Sequence, residues 1–421
     1  MSTVGWADSA MSSDPPLEVG PLRIGPVAHG GHCVARHDGR VIFVRHGLPG
    51  ELVRVLITDQ GTGRFWRGDV IEVIEASEDR VTPPCPISGP GGCGGCDFQH
   101  VALAAQRRLK AAVVAEQLHH LARIDWTGTV EPVPTTGGQG AEPSGLGWRT
   151  RMRYHVDAAG RLGMHRHRSH EVIPLPDQGC AIAAESSGLT DRHWPPGAEV
   201  QVVRATSGPV VLVNGRTLGE ETQGGPAPVG GQRRPTVSVT ERAVDRDWRV
   251  RADGFWQVHP AAADLLVRTV LEGLRPRPGE QAFDLYSGVG LFAGALADAG
   301  CRVWAVESGR SAVADARHNL ADVADRVKLV AGRVDQRLAQ LPGRSDLVVL
   351  DPPRSGAGRA VMQAIAARRP RSVAYVACDP AALGRDLGTA HDLGYDPESI
   401  RAFDLFPMTQ HVECVAILTR R

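Results

Sequence analysis

Phe283-Asp284-Leu285-Tyr286-Ser287-Gly288-Val289-Gly290-Leu291-Phe292-Ala293 decides the fold. It reads as a strand that stops at a polar turn, bends through two glycines and opens a helix. Further on, apolar runs end at Glu307, Val330, Asp351 and Cys378, with helical patterns between them. Strands alternating with helices predict a parallel sheet with crossover helices, beginning near residue 246. In open sheets of this kind chemistry gathers beyond the carboxyl ends of the strands, so the turn residues carry the functional reading.

Gly288 and Gly290 let the backbone approach a ligand closely. The segment fits G-x-G-x-x-A, which leaves a dinucleotide site open. Asp284, Tyr286 and Ser287 precede the first glycine, however, and an acid there suits a cationic or amino-acid ligand such as the methionine moiety of S-adenosylmethionine. Glu307 ends the next strand, where an acid suits ribose hydroxyls; its other reading is a cap for the following helix. Asp351-Pro352-Pro353-Arg354 is a stiff turn. It aims Asp351 at a pocket, where a carboxylate accepts hydrogen bonds from amino or imide N–H groups, or it is a rigid structural turn.

The run Val373-Ala374-Tyr375-Val376-Ala377 breaks at Cys378-Asp379-Pro380. Cys378 is thus placed as a nucleophile would be. Carbon 5 of a pyrimidine attacks a methyl sulfonium only after a thiolate has added to carbon 6. A base must then remove the carbon-5 proton. Glu413, a lone acid entering the last apolar strand, is the candidate base, and burial would raise its pKa to a useful range. His411 is its rival. Cys414 faces away from Glu413 in a strand and reads as core, as do Cys33 and Cys301.

The composition is that of a globular protein of 421 residues, 42% hydrophobic and 22% charged, with room for two or three domains. Basic and acidic residues balance at 47 each, so global charge gives no sign of a nucleic-acid partner. Only Lys110 and Lys328 are lysines. No apolar run is long enough to span a membrane. Met1 to Pro16 lacks a signal-peptide pattern and reads as a disordered tail. The expected compartment is cytoplasmic, where eight cysteines favour metal or catalysis over disulfides.

Residues 17–78 show short alternating runs separated by turns, the pattern of a small oligonucleotide-binding barrel or of an ordinary β subdomain. A helix is expected over roughly 101–123, with Val114, Leu118 and Leu121 on one face. Stretches 133–147 and 222–235 read as surface loops, with strands between them. Cys85, Cys93, Cys96 and the more distant Cys180 make a four-thiolate set that suits zinc or an iron–sulfur cluster. From Trp148 to His170 six arginines and four histidines face a single acid, Asp157. With Trp148 and Tyr154 as aromatic surface, this stretch tracks a phosphate backbone or is a solvated strand face.

Taken together, Asp284-Leu285-Tyr286-Ser287-Gly288, Leu350-Asp351-Pro352-Pro353-Arg354, Ala377-Cys378-Asp379-Pro380 and Phe406-Pro407 through Val415 resemble the RNA uracil-5-methyltransferases, in particular the 23S rRNA branch. Leu48-Pro49-Gly50-Glu51 resembles the TRAM RNA-binding barrel, and Cys93-Gly94-Gly95-Cys96 with Gln99-His100 resembles the 4Fe–4S segment of that branch. The resemblance implies a Rossmann-like α/β methyltransferase domain over 246–421. It also implies an OB-like barrel over 17–78 and a small central α+β domain over 79–245. It makes Cys378 the nucleophile and Glu413 the proton acceptor. Gln257, Tyr286, Glu307 and Asp351 would hold S-adenosylmethionine, and Cys85, Cys93, Cys96 and Cys180 the cluster, with zinc as the lesser alternative. Three departures from the family pattern are the longer gap between Cys85 and Cys93, His259 where Asn is common, and the Val289-Gly290-Leu291 loop after Gly288.

The expected activity is therefore methylation of carbon 5 of a uridine in structured RNA, 23S rRNA before tRNA, with no membrane and no stable protein partner. The target base would have to leave its stack to reach Cys378. The rivals are a non-catalytic RNA-binding or ribosome-assembly factor on the same fold, which would need neither Cys378 nor Glu413, and a nicotinamide dehydrogenase.

Overall fold

The structure, a computed structural model, describes residues 17–61, 63, 65–134, 144–184, 188–218 and 237–421. The expected tail, most of stretch 133–147 and all of stretch 222–235 lie outside the described residues. The chain divides after Arg80 into two compact units.

The first unit holds β1 (Glu18–Arg23), β2 (Val27–Ala28), β3 (His32–His37), β4 (Arg40–Arg45), β5 (Leu52–Asp59) and β6 (Phe65–Glu75). They form one sheet in the order β1-β5-β6-β4-β3-β2, antiparallel except for the β4–β6 pair. The sheet curls until β1 packs against β3. Alternation decides the inside: Cys33 and Ala35, Ile42 and Val44, and Val53 and Val55 point to a common core. At its rim Glu51, almost fully buried, accepts from the Leu48 and Ser77 amides and from the Arg80 guanidinium.

The second unit opens with α1 (Leu103–Ala122) and β7 (Val130–Pro132). The face of α1 that is buried carries Gln106, Lys110, Val113, Val114 and Leu118, whereas the expected Leu121 is exposed. There follows an antiparallel sheet of β8 (Arg151–Val156), β9 (Leu162–His165), β10 (Val172–Pro174), β11 (Glu199–Ala205), β12 (Gly208–Val213) and β13 (Arg216–Thr217), in the order β10-β9-β8-β11-β12-β13. This sheet corrects the reading of the basic stretch. Trp148 and Tyr154 are core residues, not aromatic surface, because Met152, Tyr154 and Val156 are the inward positions of β8. Of the outward arginines, Arg151 pairs with Glu241, Arg153 with Glu199, Arg161 with Asp157 and Arg166 with Glu171.

A hairpin of β14 (Ser238–Ala243) and β15 (Arg246–Arg251) leads into the α/β part. This comprises α2 (Ala262–Leu274), β16 (Gln281–Leu285), α3 (Leu291–Asp298), β17 (Arg302–Glu307), α4 (Arg310–Asn319), β18 (Val327–Ala331), α5 (Val334–Arg337), β19 (Leu347–Leu350), α6 (Arg359–Ala367), β20 (Ser372–Ala377), α7 (Pro380–Asp392), β21 (Tyr395–Asp404) and β22 (Glu413–Arg420). The expected strand ends each fall within one residue of the observed ones. The sheet runs β18-β17-β16-β19-β20-β22-β21-β7. It is parallel from β18 to β20; β22 enters antiparallel, and β7 extends the far edge beside β21.

Both faces of this sheet are covered, which explains its continuous apolar runs. Leu347, Val349, Ala374, Val376, Val415 and Ile417 pack toward α2 and α3. Val348, Leu350, Val373, Tyr375, Ala416 and Leu418 pack toward α1, α6 and α7. Strand order reverses between β16 and β19, so the glycine turn and the Asp351 turn flank the crevice where such sheets bind ligands.

Candidate active site

Tyr286 follows β16 at φ +65°, in the left-handed region that non-glycine residues rarely occupy. This bend brings Ser287 N to Val306 O, and Gly290, at φ +97°, starts α3. Beneath the turn lies Asp284, buried to 1% exposure. Its Oδ2 accepts from Ala293 N at 2.8 Å, while Oδ1 and the nearby Ser287 Oγ are buried with no hydrogen-bond partner. Burial, opposed only by that one backbone bond and aided by the charges of Asp351 and Glu307, pushes the Asp284 carboxyl up to about 8. Two orphaned oxygens beside a glycine turn fit a ligand that brings its own donors, such as an ammonium group.

Glu307 ends β17 and accepts from Gly288 N at 3.0 Å and Gly309 N at 2.5 Å. It ties the glycine turn to the entry of α4. Its cap-like reading is thus partly met, although the α4 N-cap itself makes no side-chain bond. Asp351, half-buried beyond β19, is pushed up to about 7 by burial. Behind it Asp386 of α7 accepts from Ala357 N, Gly358 N and the Tyr375 hydroxyl, which holds the chain leaving the Pro-Pro turn.

Cys378 is half-buried between β20 and α7. Asp379 caps α7 by accepting from Ala382 N, with Pro380 in the first turn. Ala377 pairs with Cys414 across β20 and β22, so the next step of the register sets Cys378 opposite Glu413. Burial, then the charges of Glu413 and Asp351, push the Cys378 thiol up to about 11. Glu413 is itself buried to 4% and raised well above the usual carboxylate range by burial and by Asp351. His411, the rival base, is pushed down to about 4 by burial and by the positive charge of Arg354, whose guanidinium lies 3.4 Å from its ring. It stays neutral and acts here as a weak base.

The structure therefore brings Cys378, Glu413 and Asp351 into one electrostatic group, with Asp284 linked to Asp351 and, on its other side, to Glu307. Tyr286 sits at the same crevice, pushed up to about 12 by burial and by Asp335 and Asp386. Gln257 is half-buried on the segment between β15 and α2 and is not drawn into this group. Next to it His259 is buried against Trp148, with ring centroids 6.1 Å apart.

No cysteine is in a disulfide. Cys96 senses Cys180 and Cys93, and Cys180 senses Cys85, so the four thiols are neighbours in pairs. They are not gathered into a ligand set, however: among the described residues no group of three or more His, Cys, Asp or Glu side chains converges to hold a metal ion. The sequence spacing alone does not carry the iron–sulfur expectation further than that. Cys33, Cys301 and Cys414 are core residues, as expected.

Sequence reasoning missed the clasp around the β21–β22 connection. Lys110 is fully buried on α1, with Nζ 2.6 Å from Asp404 Oδ1 and 3.0 Å from Phe406 O. Its signal was rarity, as one of two lysines in the chain.

The family model described as tRNA (Uracil-5-)-methyltransferase matches residues 234–421, and that of the TRAM domain matches residues 18–71. A Streptomyces coelicolor protein described as an RNA methyltransferase is 50% identical over 94% of this chain and 92% of its own length. One from Bifidobacterium longum is 38% identical over 95% of this chain and 96% of its own. The solved tRNA (uracil-54, C5)-methyltransferase of Pyrococcus abyssi, in complex with S-adenosyl-L-homocysteine, superposes with a TM-score of 0.69. It covers 95% of this chain and 99% of its own, and at 22% identity it shows a shared fold. Among the described residues no helix is long and apolar enough to cross a membrane. With the Rossmann-like crevice, its acids and the TRAM strands in place, the chain belongs to the S-adenosylmethionine-dependent RNA (uracil-5-)-methyltransferases.

Proposed function

We propose that this enzyme methylates carbon 5 of a uridine through a covalent Cys378 adduct that Glu413 resolves. The observation that supports the reading is the closeness of Cys378 and Glu413 just past the Ala377–Cys414 pair, close enough for the Glu413 charge to act on the thiol. Cys378 loses its thiol proton to solvent and bonds to carbon 6 of the uracil, and the displaced π pair makes carbon 5 nucleophilic. S-adenosylmethionine, when bound, supplies the methyl group that carbon 5 takes and, as a cation, offsets the carboxylate charge around the thiol. Glu413 then accepts the carbon-5 proton. The freed pair re-forms the double bond, and the sulfur leaves carbon 6 as a thiolate. Glu413 is suited to this because burial makes it a stronger base than an exposed carboxylate.

In this reading Asp351, Glu307, Tyr286 and Gln257 hold the methyl donor, and Asp351 also meets the uracil. Support comes from the places of Asp351, Glu307 and Tyr286 around the switch point and from the orphaned Asp284 and Ser287 oxygens; Gln257 rests on the family resemblance alone. The TRAM strands bind the RNA, for which 23S rRNA is the proposed source. Cys85, Cys93, Cys96 and Cys180 would hold a 4Fe–4S cluster, or zinc, only by closing from the pairs in which they stand; their pairwise proximity supports this. Absorption of anaerobically purified protein tests the cluster: no broad band near ~400 nm excludes iron.

RNA carrying 5-fluorouridine tests the chemistry, because a carbon-5 fluorine cannot leave as a proton does. A stable protein–RNA adduct is expected, absent in Cys378→Ala. Glu413→Gln should accumulate an adduct with ordinary uridine. Full turnover in either variant sinks the mechanism. Mapping 5-methyluridine in a deletion strain tests the substrate; loss from tRNA with intact 23S rRNA would replace the rRNA assignment.

A further inference from the structure

The connection between β21 and β22, residues 405–412, leads into Glu413; besides the bonds Thr409 makes within it, it is held by residues from another part of the chain. Met408 stands at its turn with φ +67°, a strained state for a side chain of that size. Its N–H donates to Gln106 Oε1 at 2.8 Å, and its carbonyl accepts from Phe98 N at 2.9 Å. The Gln106 amide group in turn donates to Phe98 O at 3.0 Å and Val101 O at 2.8 Å. Two residues on, Gln410 N donates to Asp97 Oδ2 at 3.1 Å. At the other end of the turn Lys110 joins Asp404 and Phe406 O. Gln106 and Lys110 are one helical turn apart on the buried face of α1, so one rigid element grips Met408 and the chain that leads into it, while Asp97, ahead of α1, holds the chain that leaves it.

An acid that must meet the carbon-5 proton has little latitude: a displacement of about 1 Å is enough to cost ~100-fold in rate. We infer that Gln106 and Lys110 are positioning residues that set Glu413 opposite Cys378 by fixing the turn at Met408. The inference rests on the proposed role of Glu413. Both side chains are turned into the protein, onto Phe98, Val101, Met408, Asp404 and Phe406, so in this inference they act on proton removal and not on adduct formation.

Two variants test this. Gln106→Leu removes the bonds to Met408 and Phe98 at near-constant volume. The double variant Lys110→Met with Asp404→Leu removes the ion pair without stranding a buried charge. For each, melting temperature, S-adenosylmethionine affinity, adduct formation with 5-fluorouridine RNA and steady-state turnover are measured beside Glu413→Gln. The expected result is affinity within about twofold of the parent and undiminished fluorouridine adduct. Turnover should fall ~10- to 100-fold with little change in the KM for RNA, and an adduct should become visible with ordinary uridine RNA. Parent-like turnover, or parallel loss of affinity, adduct and melting temperature in both variants, overturns it. If Glu413→Gln accumulates the uridine adduct and these variants do not, positioning alone is overturned. If Glu413→Gln does not accumulate it, the proton-acceptor role fails and the positioning role falls with it.

Discussion

Cys378 follows the Ala377–Cys414 pair at the point where Glu413 enters β22, and the Glu413 charge raises the proton affinity of the thiol instead of lowering it. Asp351 adds a third negative charge to the same small volume. The thiol form of Cys378 is thereby favoured over the thiolate, and the protonated form of Glu413 over the carboxylate.

The first consequence concerns thiol reactivity. The Cys378 pKa of about 11 is set by burial and by three carboxylates, Glu413, Asp351 and Asp379, against the opposing charge of Arg354. Asp351 itself ionises near 7, so above that pH it opposes thiolate formation. Asp351→Asn should lower the thiol pKa by roughly one unit. Alkylation of Cys378 by iodoacetamide near pH 8, followed by mass spectrometry, should be several-fold faster in the variant even as methyl transfer falls. An unchanged rate would mean that burial alone holds the proton.

The second concerns stability. The Asp284 carboxyl has a pKa of about 8 in the folded chain against ~3.9 unfolded. Between those values the folded state binds the extra proton, so stability is highest at the acid end of the interval and falls as the pH rises toward 8, by on the order of 1 kcal/mol per pH unit. Asp284→Asn should flatten that slope and stabilise the ligand-free protein near pH 8. Urea denaturation at about pH 5, 6.5 and 8 measures it; parallel slopes in parent and variant would refute the assignment.

Most of the fold was legible because apolar runs in a doubly covered sheet end abruptly. Glu307 closes β17 as expected, and Asp284 and Cys378 lie within a residue of their strand ends. The candidate site was legible for the same reason, since each polar turn residue follows such a run. Trp148 and Tyr154 were misjudged because composition was weighed above alternation: the arginines sit at odd positions of β8 and the inward residues at even ones. Lys110 was legible only as a rarity, one of two lysines. Its burial depends on Asp404, 294 residues away, and no local pattern announces a partner at that distance.

A third prediction isolates the first unit. Glu51 would be pushed up by burial, but Arg80 and the amides of Leu48 and Ser77 more than reverse this. Glu51→Ala strands the Arg80 guanidinium and two backbone donors, and should destabilise that unit by ~3 kcal/mol. Thermal unfolding should show the loss, while S-adenosylmethionine affinity stays at the parent value. Equal stability would make the buried carboxylate dispensable.

The last prediction turns on two glycines of α7. A Cβ on Gly388 would stand 2.7 Å from Leu121 O, and one on Gly384 would stand 3.0 Å from both Gln117 O and Leu121 Cβ. These positions are one helical turn apart and let the backbone of α1 lie against α7. Alanine is the better helix former by ~1 kcal/mol, so an isolated α7 would gain from Gly388→Ala. In the folded chain the new methyl meets a backbone carbonyl that can yield only if α1 shifts, and overpacking of that kind costs ~1–3 kcal/mol. The second effect should win at Gly388, where the obstacle is backbone, giving a lower melting temperature. Because α1 carries Gln106 and Lys110, Gly388→Ala should also slow turnover. A higher melting temperature would show that α1 is free to move away from α7, and that its grip on the Met408 turn is looser than the hydrogen bonds indicate.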